Sequence, residues 1–265
     1  MRPISSRHNP LVADCRELAA HPDAAGARVF LDGAHLVREA LAAGVRFDAA
    51  IVATSKMTER TDEALLAHEL ESRGVDVATA DERVFDAVSP TRQPSGIAAL
   101  GRRQPSEPAD LDSSVSALVI VAAEIQDPGN IGGIIRAAEA GGAAAVVVTA
   151  GSANPFSWKA LRGSMGSALR LPVITGVDLD GAFAMLDGLA YESCAAVARS
   201  GTDPDDIDWR GRRAVWIGSE GHGLPTPIVR RCRHRVTIPM QAPVESLNAA
   251  VAAGVLVYAA RRHRA

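Results

Sequence analysis

Short β-branched runs alternate with helically spaced apolar residues along this 265-residue chain, and they do so on both sides of a stretch that supports neither pattern. That alternation leaves few choices of fold. Strands separated by helices cannot pair as tight hairpins; they read as βαβ units, with helices laid over a largely parallel sheet. The interruption, residues 101–114, reads GRRQPSEPADLDSS, with two Pro, three Ser, mixed charge and almost no apolar side chains. Such composition suits a linker. The expectation is therefore α/β throughout: a small α/β/α unit over residues 1–105, a linker at 106–114 and a larger unit over 115–265.

In the first part, Asn9-Pro10 opens a helical pattern, with Asn as the cap and Pro at the first helical position. Helices are also expected at 34–43, 61–73 and 81–88, and strands at 28–31, 49–53, 75–78 and 97–100. In the second part, strands are expected at 117–123, 145–149, 171–174, 189–196, 214–217 and 234–238. Helices are expected at 131–140, 159–168, 179–186, 225–231 and 246–262. The second set of strands is rich in Val, Ile and Ala, which suits a sheet covered on both faces.

Composition narrows the function classes. No apolar run is long enough to span a bilayer, because 249–260 is too short and an Arg-rich end follows it. Residues 1–10 lack the apolar core of a secretion signal, so a cytoplasmic protein is expected. Cys15, Cys194 and Cys232 form no CxxC pair, which argues against a zinc ribbon or a disulfide framework. The net charge is −3, yet basic residues cluster at Arg2, Arg7 and His8, at Arg102 and Arg103, at 230–235 and at 261–264. Local Arg patches of this kind can hold a polyanion, or can be solvated surface.

Three motifs carry the candidate chemistry. The first runs from Asp127 through Pro128, Gly129, Asn130, Gly132 and Gly133 to Arg136, and joins a strand to a helix. Ligand loops in α/β sheets stand at such places, and the glycines let backbone approach something closely. A cation about one and a half turns into the helix can face an anion at the helix start. The spacing is not GxGxxG, no acid ends the next strand, and no GK[ST] follows, which disfavours a dinucleotide loop and excludes a P-loop. A plain strand-to-helix turn remains open. The second motif, Gly218-Ser219-Glu220-Gly221-His222-Gly223, places a carboxylate among glycines. It reads equally as an exposed turn. The third is Ile238-Pro239-Met240 followed by Ser246-Leu247-Asn248. Ser246 is expected to cap the last helix, with Asn248 in its first turn. Neither Ser246 nor Ser164 has the GxSxG setting of a hydrolase nucleophile.

Together and in this order the motifs resemble the SpoU (TrmH-type) RNA ribose 2′-O-methyltransferases of the SPOUT superfamily. Asn130 and Arg136, Gly218 and Glu220, and Ile238-Pro239-Met240 with Ser246-Leu247-Asn248 match that family's three motifs. Asn154-Pro155-Phe156-Ser157, residues 159–166 and Leu171-Pro172-Val173 are also similar to it. The N-terminal part, at Ser5 to Pro10, at 30–43 and at Gln93 to Ile97, resembles the small RNA-binding domain often fused to the family. It has Asp32-Gly33 where members often have Glu-Gly.

The resemblance implies a trefoil-knotted domain, S-adenosylmethionine as cofactor held by Gly218, Ile238, Met240 and Leu247, and a homodimer formed beside the knot. It implies catalytic roles for Asn130, Arg136, Glu220, Ser246 and Asn248, no metal, and an RNA substrate, rRNA ahead of tRNA. Arg136 is expected to orient the hydroxyl and a phosphate and to stabilise charge, since a guanidinium stays protonated across ordinary pH. Glu220 is expected to hold its loop or Arg136. The alternatives from other classes are a non-catalytic RNA-binding protein with the same fold and a nicotinamide-dependent oxidoreductase. Cofactor binding discriminates between them.

Overall fold

The computed structural model describes residues 1–58, 61–91, 94–112 and 118–263. Gln93, Ala117 and Arg264, which entered the expectations above, lie outside these residues, as do positions 113 and 114.

The first sheet contains β1 (Arg2–Ile4), β2 (Arg28–Asp32), β3 (Arg46–Ala53), β4 (Asp76–Ala80) and β5 (Ile97–Arg102), in the order β1-β4-β3-β5-β2. The β1, β4 and β3 strands run parallel, and β5 lies antiparallel between β3 and β2. Helices α1 (Pro10–Ala20), α2 (Ala34–Ala42), α3 (Asp62–Ser72) and α4 (Glu82–Phe85) connect them. Asn9 caps α1 through Oδ1, which accepts from Leu11 N, and Pro10 opens the helix as expected. Thr61 and Asp81 cap α3 and α4 in the same way. The β1 strand was not expected: its three residues are too few to show a period of two.

The second sheet is parallel throughout. Its strands are β6 (Leu118–Ala122), β7 (Ala145–Thr149), β8 (Val173–Val177), β9 (Glu192–Ala196), β10 (Arg213–Ile217) and β11 (His234–Val236), in the order β11-β9-β10-β6-β7-β8. Every residue of β6 and β7 is buried, which explains the continuous apolar runs. The helices are α5 (Ala109–Asp112) ahead of the sheet, then α6 (Pro128–Gly141), α7 (Trp158–Ser164), α8 (Leu179–Gly188), α9 (Thr226–Arg231) and α10 (Ala249–Arg262).

Several expected boundaries moved, and three of the shifts have a clear local reason. The strand expected from 189 begins at Glu192, because α8 runs on to Gly188 and Ala190 turns with φ 58°. The helix expected over 159–168 stops at Ser164, where Met165 and Gly166 take φ 51° and 87°, and a 3₁₀ turn follows. The last helix begins at Ala249 rather than Ser246. Its cap is Asn248, whose Oδ1 accepts from Ala250 N at 2.9 Å and Val251 N at 3.3 Å.

The stretch expected as a linker is tied down at several points. Leu111 is fully buried, and Ser106 Oγ accepts from Val173 N at 3.3 Å. One apolar cluster holds Val29, Leu31 and Val37 of the first part together with Phe156, Leu161 and Leu169 of the second. Among the described residues, no helix is long and apolar enough to cross a membrane.

Candidate active site

In the second sheet the chain moves outward from β6 to β7 and β8, then crosses to β9, β10 and β11 on the other side. The strand order reverses between β6 and β10, and a crevice at the carboxyl ends of such a pair is where α/β sheets bind ligands. The two strands stay paired to their ends, with Ala123 N donating to Ile217 O at 2.8 Å. The loops that follow therefore start side by side.

The loop after β6 enters α6 through Asp127, whose carboxylate accepts from Asn130 N at 2.8 Å, with Pro128 at the first helical position. The loop after β10 is pinched shut: Gly223 N donates to Ser219 O at 2.8 Å. Gly218 makes this possible, since a Cβ there would lie 2.1 Å from the Gly223 carbonyl carbon. Glu220 then projects towards α6, and Asn130 Nδ2 donates to Glu220 Oε1. On the other side Asn248 Nδ2 donates to Asn130 Oδ1 at 2.8 Å.

This chain of contacts has a direction. Asn248 Oδ1 is committed to the first N–H groups of α10, so its Nδ2 must face Asn130. Asn130 must then turn its oxygen to Asn248 and its Nδ2 to the carboxylate. The start of α10 thereby sets both amide orientations and aims a donor at Glu220. Each of the three motifs contributes one member; Glu220 and Asn248 are exposed to solvent and Asn130 is half-buried.

Beside the trio lies a cavity of about 510 Å³, well within the range of small-molecule sites. Gly218, Glu220, Ile238, Met240, Ser246 and Leu247 all line it. Its apolar walls also include Ile217, Val236 and Leu256, and its polar groups include Arg199 and Glu245, paired at 3.0 Å. Sequence reading missed Arg199 and the neighbouring Ala196–Ala198 backbone, because they carry no motif. Their signal was positional: they follow the end of β9, next to β10. Cys194, buried in β9, is no thiolate candidate, since burial pushes its pKa up to about 12.

Arg136 stands apart from the trio. It lies six residues beyond Asn130 on α6, roughly 9 Å further along the axis. It is exposed, and among the described residues it has no hydrogen bond or ion pair. Glu220 pairs with Asn130 instead, so the expectation that it holds Arg136 is replaced by one in which it is held by an amide. The glycines of α6 allow a close approach, as expected, and the structure shows to what. A Cβ on Gly132 would lie 2.4 Å from Ala160 O and one on Gly133 2.8 Å from Ala250 Cβ, so the close approach is to α7 and α10.

Comparison with known proteins gives this geometry a family. Residues 117–258 match the model of the SpoU rRNA methylase family, and residues 30–105 match the model for RNA 2′-O ribose methyltransferase substrate binding. An uncharacterized tRNA/rRNA methyltransferase of Synechocystis is 33% identical over 98% of this chain and 94% of its own. The Bacillus subtilis 23S rRNA guanosine 2′-O-methyltransferase RlmP is 32% identical over 97% of this chain and 98% of its own. An AdoMet-bound rRNA methyltransferase from Sinorhizobium meliloti superposes with a TM-score of 0.84 at 25% identity, over 99% of this chain and 98% of that one. The chain therefore belongs to the SpoU family of RNA ribose 2′-O-methyltransferases.

Proposed function

We propose that the chain methylates a ribose 2′-hydroxyl of ribosomal RNA in the cytoplasm, using S-adenosylmethionine, with residues 115–265 as the methyl-transfer part and residues 1–105 holding the RNA. The observation that carries the site assignment is the Asn248–Asn130–Glu220 relay beside the cavity. The choice of rRNA is supported by the full-length similarity to RlmP.

The cavity suits the cofactor by its chemistry. Apolar walls from Ile217, Ile238 and Leu247 offer a face for an adenine, and the backbone beside Gly218 offers donors and acceptors. The polar rim of Arg199, Glu245 and Ser246 can meet an amino acid moiety. When bound, S-adenosylmethionine supplies an electrophilic methyl group on a sulfonium.

The residues of the chain then align the hydroxyl, and alignment alone lowers such a barrier substantially. Arg136 is free to take up a phosphate and the neighbouring ribose, as a planar fork with fixed charge. Asn130 and Asn248 hold Glu220 in one orientation at the mouth of the cavity. Ser246 faces the same cavity from outside the last helix and has no capping duty, which leaves its hydroxyl for substrate.

The segment from β10 to α10 is read as the knotted part, supported by the return of α10 onto α6, where Gly133 meets Ala250 and Gly141 meets Val257. Val251, Val255 and Tyr258 form an exposed apolar stripe on α10, 52%, 41% and 47% accessible. Spaced at i, i+4 and i+7, they support a homodimer through this face. Val255→Asp should shift the sedimenting species from dimer to monomer; a dimer unchanged by it removes this face from the assignment.

The test of the function is transfer of labelled methyl from S-adenosylmethionine to purified rRNA and, in parallel, to purified tRNA, followed by nuclease digestion. Nuclease-resistant 2′-O-methyl dinucleotides are expected. Label recovered on a base, or on tRNA alone, overturns the reading.

A further inference from the structure

Two sets of side-chain contacts bind the RNA-holding part to the methyl-transfer part. The first grips the loop ahead of β2. Asn154 Nδ2 donates to the carbonyl oxygens of Pro22 at 3.3 Å and Asp23 at 2.9 Å, while Asn154 Oδ1 accepts from Phe156 N at 2.7 Å. Thr175 Oγ1 donates to Ala24 O at 3.1 Å. The Phe156 ring fills the space where a Cβ on Gly26 would stand, 2.3 Å away, and the Arg103 guanidinium lies 4.6 Å from the centre of that ring.

The second set is ionic. Arg170, just ahead of β8, donates through Nε and Nη2 to the two oxygens of Glu139, each at 2.8 Å, and through Nη1 to Glu39. Glu39 stands on α2 of the first part. Glu139 stands on α6, the helix that bears Asn130 and Arg136. One guanidinium thus joins the RNA-holding part to the helix of the active site. All three side chains are only about a third exposed, and the pairing to Glu139 is bidentate. The Arg170 hydrogen bonds also hold the Glu139 carboxyl below its ordinary range.

A flexible joint would let the RNA-holding part present its RNA over a range of angles, so only a fraction of molecules would hold both parts at the angle that binds RNA, and apparent affinity would fall by that fraction. We propose that Arg170, through Glu39 and Glu139, and Asn154, through the loop at Pro22 and Asp23, are positioning residues that fix the angle at which RNA reaches α6. This rests on the functional reading above.

The test uses the full chain with Glu39→Gln, Asn154→Ala and the pair combined. Glu39→Gln leaves the Arg170–Glu139 pair intact and removes only the charge that crosses between the parts. Spin labels go on Leu65→Cys in α3 and Asp187→Cys in α8, both exposed positions, while the native Cys15, Cys194 and Cys232 are buried. The double variant should broaden the label distance distribution and raise KM for rRNA about five-fold or more, with kcat within about two-fold of wild type. The calorimetric Kd for S-adenosylmethionine should not change. A broadened distribution with an unchanged KM, or an unchanged distribution, overturns the proposal. If the wild type transfers no methyl group to RNA, the functional reading falls by itself. The clasp is then judged by label distance and by rRNA affinity, with the same two overturning results.

Discussion

Two carboxylates in this molecule sit at or just past the end of a strand and just before a glycine, and they meet opposite fates. Asp32 closes β2 and precedes Gly33; Glu220 follows β10 and precedes Gly221. Asp32 is buried and accepts from Ser89 Oγ at 3.1 Å and Ser95 Oγ at 3.2 Å, so it anchors the loop into β5. Glu220 is exposed and accepts from an amide that is itself fixed by a helix start. The difference follows from the sheets. In the second sheet all strands run one way, so the loops after β6 and β10 and the segment before α10 gather at one edge. In the first sheet β5 runs against its neighbours, so the end of β2 faces the start of β5 and the carboxylate is used to join them. Identical local chemistry becomes a site or a staple according to the direction of the neighbouring strand.

The comparison predicts where activity is fragile. Arg136→Ala should reduce kcat/KM for rRNA by roughly 10²–10³-fold, with unchanged S-adenosylmethionine affinity by calorimetry, because Arg136 does not line the cavity. Arg136→Lys should recover little of the loss, since a point charge lacks the fork. Wild-type turnover in Arg136→Ala would remove the residue from the chemistry. Gly218→Ala attacks the cavity instead. Its methyl would collide with the Gly223–Leu224 backbone, so the loop must open. Cofactor affinity should fall by about ten-fold or more, a loss of roughly 1.4 kcal/mol, with the melting temperature as the control for folding.

Asn248 separates folding from chemistry on one side chain. Asn248→Ala loses the cap of α10, a cost of about 1 kcal/mol, as well as the contact to Asn130. Asn248→Asp keeps an acceptor for Ala250 N and Val251 N but cannot donate to Asn130. It should melt close to wild type and still lose about ten-fold or more in kcat. Equal activity in wild type and Asn248→Asp would mean that the relay does not set the Glu220 orientation.

Much of the architecture could be read in the chain because its signals are local. Buried Val, Ile and Ala runs marked β6, β7 and β10, and Asn9 announced α1 as its cap. Asn130, Glu220 and Asn248 were nominated by motif, and the structure brings them into contact. Their order of bonding was not legible, because it depends on where α10 begins, and that start is set by Asn248 rather than the equally cap-like Ser246. Arg199 and the clasp at Arg170 were invisible for a different reason. Their partners lie 46 residues away at Glu245, and 31 and 131 residues away at Glu139 and Glu39. No periodicity reports pairing over such separations.

The smallest effect distinguishes the buried carboxylate from a paired one by the sign of its pH dependence. Burial holds the Asp32 carboxyl above its ordinary 3.8, against the opposing pull of Ser89, Ser95 and Arg162. The folded state then keeps a proton that the unfolded chain has released, so stability falls as pH rises from 3.8 through the folded value. Glu139 is the opposite case: Arg170 holds it below its ordinary 4.5. Its contribution is present above 4.5 and is lost as pH falls through the folded value. Asp32→Asn should therefore gain on wild type in melting temperature between pH 4 and pH 7, because the variant escapes the cost of an ionised buried group. Glu139→Gln should lose ground over the same interval. Two melting series in matched buffers decide it. Parallel slopes for the two variants would mean that Asp32 is stabilised as an anion in the folded chain, and the contrast between staple and site would then rest on geometry alone.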